Sequence, residues 1–226
     1  MLTPRHAFAM ASLSYADADA DAGSEGEETA RTALYATGGW LYGSCCSDAV
    51  ERFVEGEERW TRCAPLRTAR RLHGAAAVNG RLYVFGGACG NGTVDAKIKT
   101  ASVEMYIPDE DRWEGRRDLP RPMHVSAVAL GPHIFVLPYG DDHMLRYDPE
   151  ADSYVDVGPL PLPNFHCFSV CASPSELGVF YVVGGSTDGK WTAASWRYCA
   201  KRQEWDRLPE MAVARRRSAA AVVWAR

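Results

Sequence analysis

No apolar run in this chain approaches the ~20 residues that a membrane-spanning helix needs. The first residues, Met1 to Tyr15, hold an Arg and a His and lack the long apolar stretch of a secretory leader. Familiar chemistry is missing too. There is no G-x-S-x-G, no H-E-x-x-H, no phosphate-binding loop and no dinucleotide fingerprint, so no enzyme class is indicated and no cofactor is expected. Excess positive charge is absent, the net charge being −4, which argues against a nucleic-acid binder. The seven cysteines, Cys45, Cys46, Cys63, Cys89, Cys167, Cys171 and Cys199, form an odd set with no C-x-x-C spacing. They read as reduced thiols of a cytoplasmic or nuclear protein. Cys45 and Cys46 with a third ligand would be the zinc reading. Adjacent cysteines rarely point at one metal, and no His/Cys cluster completes the set, so no metal site is expected.

Four segments of the chain repeat one order of features. An apolar strand with a central aromatic ends on two glycines in Leu34-Tyr35-Ala36-Thr37-Gly38-Gly39, in Leu82-Tyr83-Val84-Phe85-Gly86-Gly87 and in Phe180-Tyr181-Val182-Val183-Gly184-Gly185. In the third copy Ile134-Phe135-Val136-Leu137 runs into Pro138-Tyr139, with a glycine only at Gly140. The pairs start at 38, 86, 138 and 184, spacings of 48, 52 and 46. Two aromatics seven residues apart follow each pair: Phe53 and Trp60, Tyr106 and Trp113, Tyr147 and Tyr154, Tyr198 and Trp205. Turn-forming residues such as Pro108-Asp109-Glu110-Asp111 lie between them, so each pair reads as a hairpin with its rings packed across it. A strand of small residues comes next, as in His73-Gly74-Ala75-Ala76-Ala77-Val78, and suits a place where strands crowd toward an axis. A fifth such strand is expected near the start, at residues 3–13, giving five inner strands against four glycine-pair strands.

The glycine pair, the Tyr/Trp pair and their order resemble the kelch repeat over nearly all of residues 3–225. The resemblance implies an all-β fold, a β-propeller with four recognisable blades of four antiparallel strands plus an extra inner strand. One domain then covers 1–226, with repeats at about 33–79, 80–130, 131–171 and 178–225 and a solvated, disordered acidic insert at 16–30. Kelch propellers commonly have six blades, so the chain reads as the C-terminal part of a longer kelch-like protein, such as those carrying BTB and BACK domains. A compact four-bladed ring is the alternative.

Two metal-like patterns have plainer readings. Asp17, Asp19, Asp21 and Glu28 mimic calcium-loop spacing, but Ala22 stands where that loop needs glycine, so a solvated loop is expected. His6, His73, His124 and His166 are read as one framework position copied with its repeat.

Arginines lead into the inner strands: Arg70, Arg71, Arg121, Arg215, Arg216 and Arg217. The loops after the glycine pairs add Trp40, Tyr42, Asp141, Asp142, His143 and Trp191. Arginine beside exposed Trp or Tyr is hot-spot composition, and the guanidinium fork matches carboxylate and phosphate. Trp40, Tyr42, Arg70, Arg71, Arg121, Asp141, Asp142, His143, Trp191, Arg215 and Arg216 are therefore the candidate partner-binding residues, for an acidic or phosphorylated peptide of a protein substrate. Resemblance to BTB-kelch proteins implies a non-catalytic substrate adaptor of a cullin-RING ubiquitin ligase, whose cullin contact lies in domains absent from this chain. An actin-binding or general scaffold and a carbohydrate-active kelch enzyme are the other readings. Neither nucleic acid nor membrane is expected as a partner.

Overall fold

A computed structural model describes residues 1–16, 30–41, 45–89, 98–140, 143–173 and 177–221. They form two compact units, residues 1–122 and 123–226. Strands dominate, and no α-helix occurs among the described residues.

The first unit runs through β1 (Ala9–Ala16), β2 (Ala30–Thr37), the short β3 (Trp40–Leu41) and β4 (Cys45–Cys46), β5 (Val50–Val54) and β6 (Thr61–Cys63). It continues with β7 (Gly74–Val78), β8 (Arg81–Phe85), β9 (Ala88–Cys89), β10 (Ile98–Lys99), β11 (Val103–Ile107) and β12 (Arg112–Arg116). Its two four-stranded antiparallel sheets, or blades, have the order β1-β2-β5-β6 and β7-β8-β11-β12. The second unit holds β13 (Val125–Leu130), β14 (His133–Pro138), β15 (His143–Asp148), β16 (Ser153–Pro159), β17 (Ser169–Ala172), β18 (Val179–Val183), β19 (Ser186–Thr187), β20 (Lys190–Trp191), β21 (Ser195–Cys199) and β22 (Glu204–Leu208). Its blades are β13-β14-β15-β16 and β17-β18-β21-β22. We number the four blades in chain order.

Local sequence explains the hairpins. Asn79 and Gly80 both take positive φ, 50° and 69°, the two-residue turn whose twist matches paired strands. The spaced aromatics face each other as expected: Tyr106 lies opposite Trp113, Tyr147 opposite Tyr154 and Tyr198 opposite Trp205. Their ring centroids are 4.9–5.0 Å apart, the range of favourable offset contact. Each Trp also reaches back to the preceding blade. The Trp113 indole N–H donates to the Ala64 carbonyl at 2.9 Å and that of Trp205 to the Pro159 carbonyl at 3.0 Å.

The first and last glycine pairs meet, backbone to backbone, the segment that the chain forms after leaving the blade. A Cβ on Gly38 would stand 2.5 Å from the Arg70 carbonyl oxygen, and one on Gly184 would stand 2.6 Å from that of Arg215. The next glycine makes the bond: Gly39 N–H donates to the Arg70 carbonyl and Gly185 N–H to the Arg215 carbonyl, both at 2.8 Å. In the third blade Gly140, one residue late, donates to the Phe165 carbonyl at 2.9 Å. Tyr139 takes up the displaced space, with its ring 5.1 Å from Phe168 and its hydroxyl 2.9 Å from that of Ser126.

One apolar core lies between the blades of each unit. Leu13, Ala33, Tyr35 and Val50 pack with Leu82, Val84, Tyr106 and Trp113 in the first. Phe135, Leu137 and Met144 pack with Phe180, Val182 and Tyr198 in the second.

Three sequence expectations change. The first inner strand is Ala9–Ala16 rather than 3–13, and it pairs with the strand that follows it. The last small-residue segment has no strand over its described part, 218–221, so four inner strands are seen among the described residues. The histidines do not share one position. His6 and His166 bridge to Trp40 and Ser186, the residues after the glycine pairs, where the second blade has Arg71 on Ala88. His73 sits two residues further along. Matching the histidines by type misaligned them, because the left-handed residue that follows the bridge, Ala7, Leu72 or Cys167, sets the true phase. Of the acidic insert, residues 17–29 lie outside the described residues, and so does the calcium-like pattern.

Candidate partner-binding surface

Strands β2, β8 and β18 end where the glycine pairs begin, and the chain crosses there into the short hairpins β3-β4, β9-β10 and β19-β20. The segment leading into the next inner strand reaches that same end of the blade, because its carbonyl meets the glycine pair. Loop aromatics and lead-in arginines are thereby neighbours within each unit. In the first unit the Arg71 guanidinium carbon lies 4.0 Å above the Trp40 ring centroid. In the second, that of Arg216 lies 5.1 Å from the Trp191 ring. Both are within cation–π range. Arg71 directly follows Arg70 and Arg216 directly follows Arg215, the two residues whose carbonyls bind the glycine pairs, so the two arginines are repeat equivalents. Trp40 is half-buried, whereas Trp191 is 58% exposed and Arg216 is exposed.

Arg70 is a correction. Its side chain is fully buried and cannot meet a partner. It donates to the Gly86 and Ser102 carbonyls, both at 2.9 Å, to the Ser102 hydroxyl at 2.7 Å and to the Glu104 carboxylate at 2.5 Å. Burial pulls the guanidinium below its ordinary pKa while Glu104 holds it up. Sequence reasoning saw an arginine in a loop; donors matched to the Gly86 and Ser102 carbonyls, the Ser102 hydroxyl and Glu104 made it part of the frame. Reasoning from sequence also missed its twin. Arg5 is buried, with Glu51 at 3.5 Å and the Ala36 carbonyl at 2.9 Å. The signal was present in the first two blades as an Arg one residue before the bridging position and a Glu on the third strand.

Arg121 and Arg215 are exposed. His143 opens β15 rather than sitting in a loop, and its ring donates to Asp156 at 2.8 Å, which holds that carboxyl below its ordinary pKa. Tyr42, Asp141 and Asp142 lie outside the described residues.

No group of three or more His, Cys, Asp or Glu among the described residues could hold a metal ion. A cavity of about 320 Å³ opens beside β11 and β12 between Arg67, Thr68, Ser102, Glu104, Arg116 and Asp118. Its lining holds two cationic and two anionic side chains, and Glu104 is already committed to Arg70 and to the Arg67 and Thr68 N–H groups. No described helix is long and apolar enough to cross a membrane.

The family model described as Kelch motif matches residues 69–120, which run from the Arg70 lead-in through β12. Kelch-like protein 25 of Xenopus tropicalis is 32% identical over 142 residues, 60% of this chain and 22% of the relative. Kelch-like protein 35 of Mus musculus is 31% identical over 139 residues, 61% of this chain and 22% of the relative. Beta-scruin of Limulus polyphemus is 29% identical over 120 residues, 47% of this chain and 13% of the relative. The chain thus spans about a fifth, 22%, of the length of the kelch-like relatives it matches. Among solved structures, the one described as "Structure of YjhT" superposes with a TM-score of 0.68 and 15% identity over 94% of this chain and 67% of the other, a likeness of fold alone.

Proposed function

We propose that this chain, a kelch-repeat β-propeller like the kelch domains of kelch-like proteins, is the protein-binding part of an adaptor. The single observation that carries the reading is that two repeat-equivalent arginines each lie on an indole, Arg71 on Trp40 and Arg216 on Trp191, where the loops after the glycine pairs emerge. The guanidinium fork matches a carboxylate or phosphate in two-bond geometry, and an indole beside it covers an adjacent apolar side chain. An acidic or phosphorylated segment of a substrate protein is the matching partner. Each charge-assisted bond contributes ~1.5–3 kcal/mol where water is excluded and far less at an exposed rim. By resemblance to BTB-kelch proteins, the bound substrate is presented to a cullin-RING ubiquitin ligase, and the seven free thiols suit a cytoplasmic site of action. The chain then works without catalysis.

Affinity capture with wild type and with Arg71→Ala, Arg216→Ala and Trp191→Ala tests this. Loss of the same partners from all three folded variants is the expected result. Partners retained by all three place binding elsewhere. The chain alone should not capture a cullin, and direct tight cullin binding would refute the adaptor architecture.

A further inference from the structure

Beneath Trp40 lies a group of thiols that the partner surface does not use. Cys46 is the cross-strand partner of Trp40 on the hairpin β3-β4 of the first blade. Its sulfur crosses to the second blade and donates to the Ala88 carbonyl at 3.4 Å. Cys89 is the next residue along. Peptide geometry therefore puts the Cys46 sulfur within about 6 Å of the Cys89 Cα. Both cysteines sit on two-residue strands, β4 and β9, which are the lightly held parts of their blades. Cys46 is buried, whereas Cys89 is half-exposed, its thiol weakly bonded to the Ile98 carbonyl at 3.6 Å.

We infer that Cys46 and Cys89 form an oxidisable pair that closes to an inter-blade disulfide when the chain meets a hydroperoxide. Cys89, the accessible thiol, reacts first. Its thiolate attacks the peroxide oxygen, the O–O bond breaks, and Cys89 becomes a sulfenic acid as the peroxide leaves as water or alcohol. The Cys46 sulfur then attacks the Cys89 sulfur, the S–O bond breaks, and the hydroxyl leaves as water with the Cys46 proton. Two electrons pass from the two thiols to one peroxide. Burial pushes the Cys46 thiol up while the adjacent Arg71 pulls it down, which suits a resolving thiol held protonated until its partner is oxidised.

The bond has a consequence at the surface. The Ala88 carbonyl accepts both the Cys46 thiol, at 3.4 Å, and the Arg71 N–H, at 3.0 Å. Turning Cys46 toward Cys89 removes one of the two donors and pulls the strand that carries Trp40's partner residue. The Trp40–Arg71 stack then shifts with the redox state. This effect on binding rests on the partner reading above; the disulfide itself does not.

The test treats the reduced full chain with hydrogen peroxide at neutral pH, blocks free thiols by alkylation, and maps the digest by mass spectrometry. A Cys46–Cys89 cross-linked peptide, 2 Da lighter than its two thiol peptides and released by a dithiol reductant, is expected. Cys46→Ser should leave a Cys89 sulfenic acid that dimedone traps, and Cys89→Ser should abolish both products. A Cys45–Cys46 bond, an intermolecular bond, or oxidation confined to the other five cysteines overturns the proposal.

Discussion

Arg5 and Arg70 in the first unit correspond to Phe165 in the second, each standing one residue before the bridging position. The exchange is concerted. Glu51 and Glu104 lie opposite Ala36 and Val84, and at that place the second unit has Leu145 opposite Val136 and Trp196 opposite Val182. In the first unit, then, a buried ion pair fastens the incoming chain. Glu51 accepts the Leu2 and Thr3 N–H groups at 2.9 and 3.0 Å, and Glu104 accepts those of Arg67 and Thr68 at 2.7 and 3.1 Å. In the second unit Phe165 is wholly buried with its ring centroid 4.6 Å from Phe168. One repeat position is thus solved twice. The ionic solution satisfies many backbone groups but must overcome the desolvation of two charges; the aromatic one gains from water exclusion and is indifferent to its neighbours' charge.

The sharpest way to break the contrast is Glu104→Ala. It strands the Arg70 charge in the interior and orphans two N–H groups, so a loss of about 5 kcal/mol in denaturant unfolding is expected. A loss under about 1 kcal/mol would mean that water replaces the carboxylate. Phe165→Ala, the counterpart in the second unit, should cost ~3–4 kcal/mol through its cavity, without the polar penalty. Converting the first solution toward the second with Arg70→Met and Glu104→Leu together should recover only part of the Glu104→Ala loss. About 2–3 kcal/mol should remain, because the Gly86 and Ser102 carbonyls stay unpaired. Full recovery would show that those carbonyls find water.

Acid separates the units next. His73 is buried in the first unit, with Nε2 2.9 Å from the Thr37 hydroxyl, and the second unit has Phe168 at that place. Burial, with the Arg70 charge beside it, drives its pKa from 6.5 to about 3. The unfolded chain binds the extra proton, so the contribution is complete above pH 6.5 and is lost as the pH falls toward 3. Stability at pH 5 should be ~2 kcal/mol lower than at pH 7.5 from this residue, measured by denaturant unfolding. A His73→Gln chain with the same pH slope would remove His73 from the account. The smallest effect concerns a hydroxyl. Tyr106 and Tyr147 donate to Asp111 and Asp152 at 2.5 Å, five residues on. In the fourth blade Gln203 occupies that position, and the buried Tyr198 hydroxyl has no hydrogen-bond partner among the described residues. Gln203→Asp, at a φ of 57° that Asp tolerates better, should raise the unfolding free energy by ~1 kcal/mol. No gain would mean that the Asp side chain does not turn inward.

Sequence periodicity determined much of this protein by itself. Glycine pairs about 50 residues apart, an aromatic pair seven residues apart and small inner strands specify repeated four-stranded sheets, because each of these features has one good place in a twisted blade. It also led to the expectation that Arg71, Trp40, Arg216 and Trp191 share one face, since loops and lead-ins recur in step. Phase and burial were decided only in three dimensions. Residues matched by type, such as the histidines, fell at different places because left-handed corners set the register. Arg70 and Arg71, adjacent and chemically alike, took opposite roles. One turned inward to a glutamate 34 residues away and the other lies on a half-buried indole. A guanidinium is buried only where a carboxylate and carbonyls wait for its donors, and that supply is a property of the packed blades.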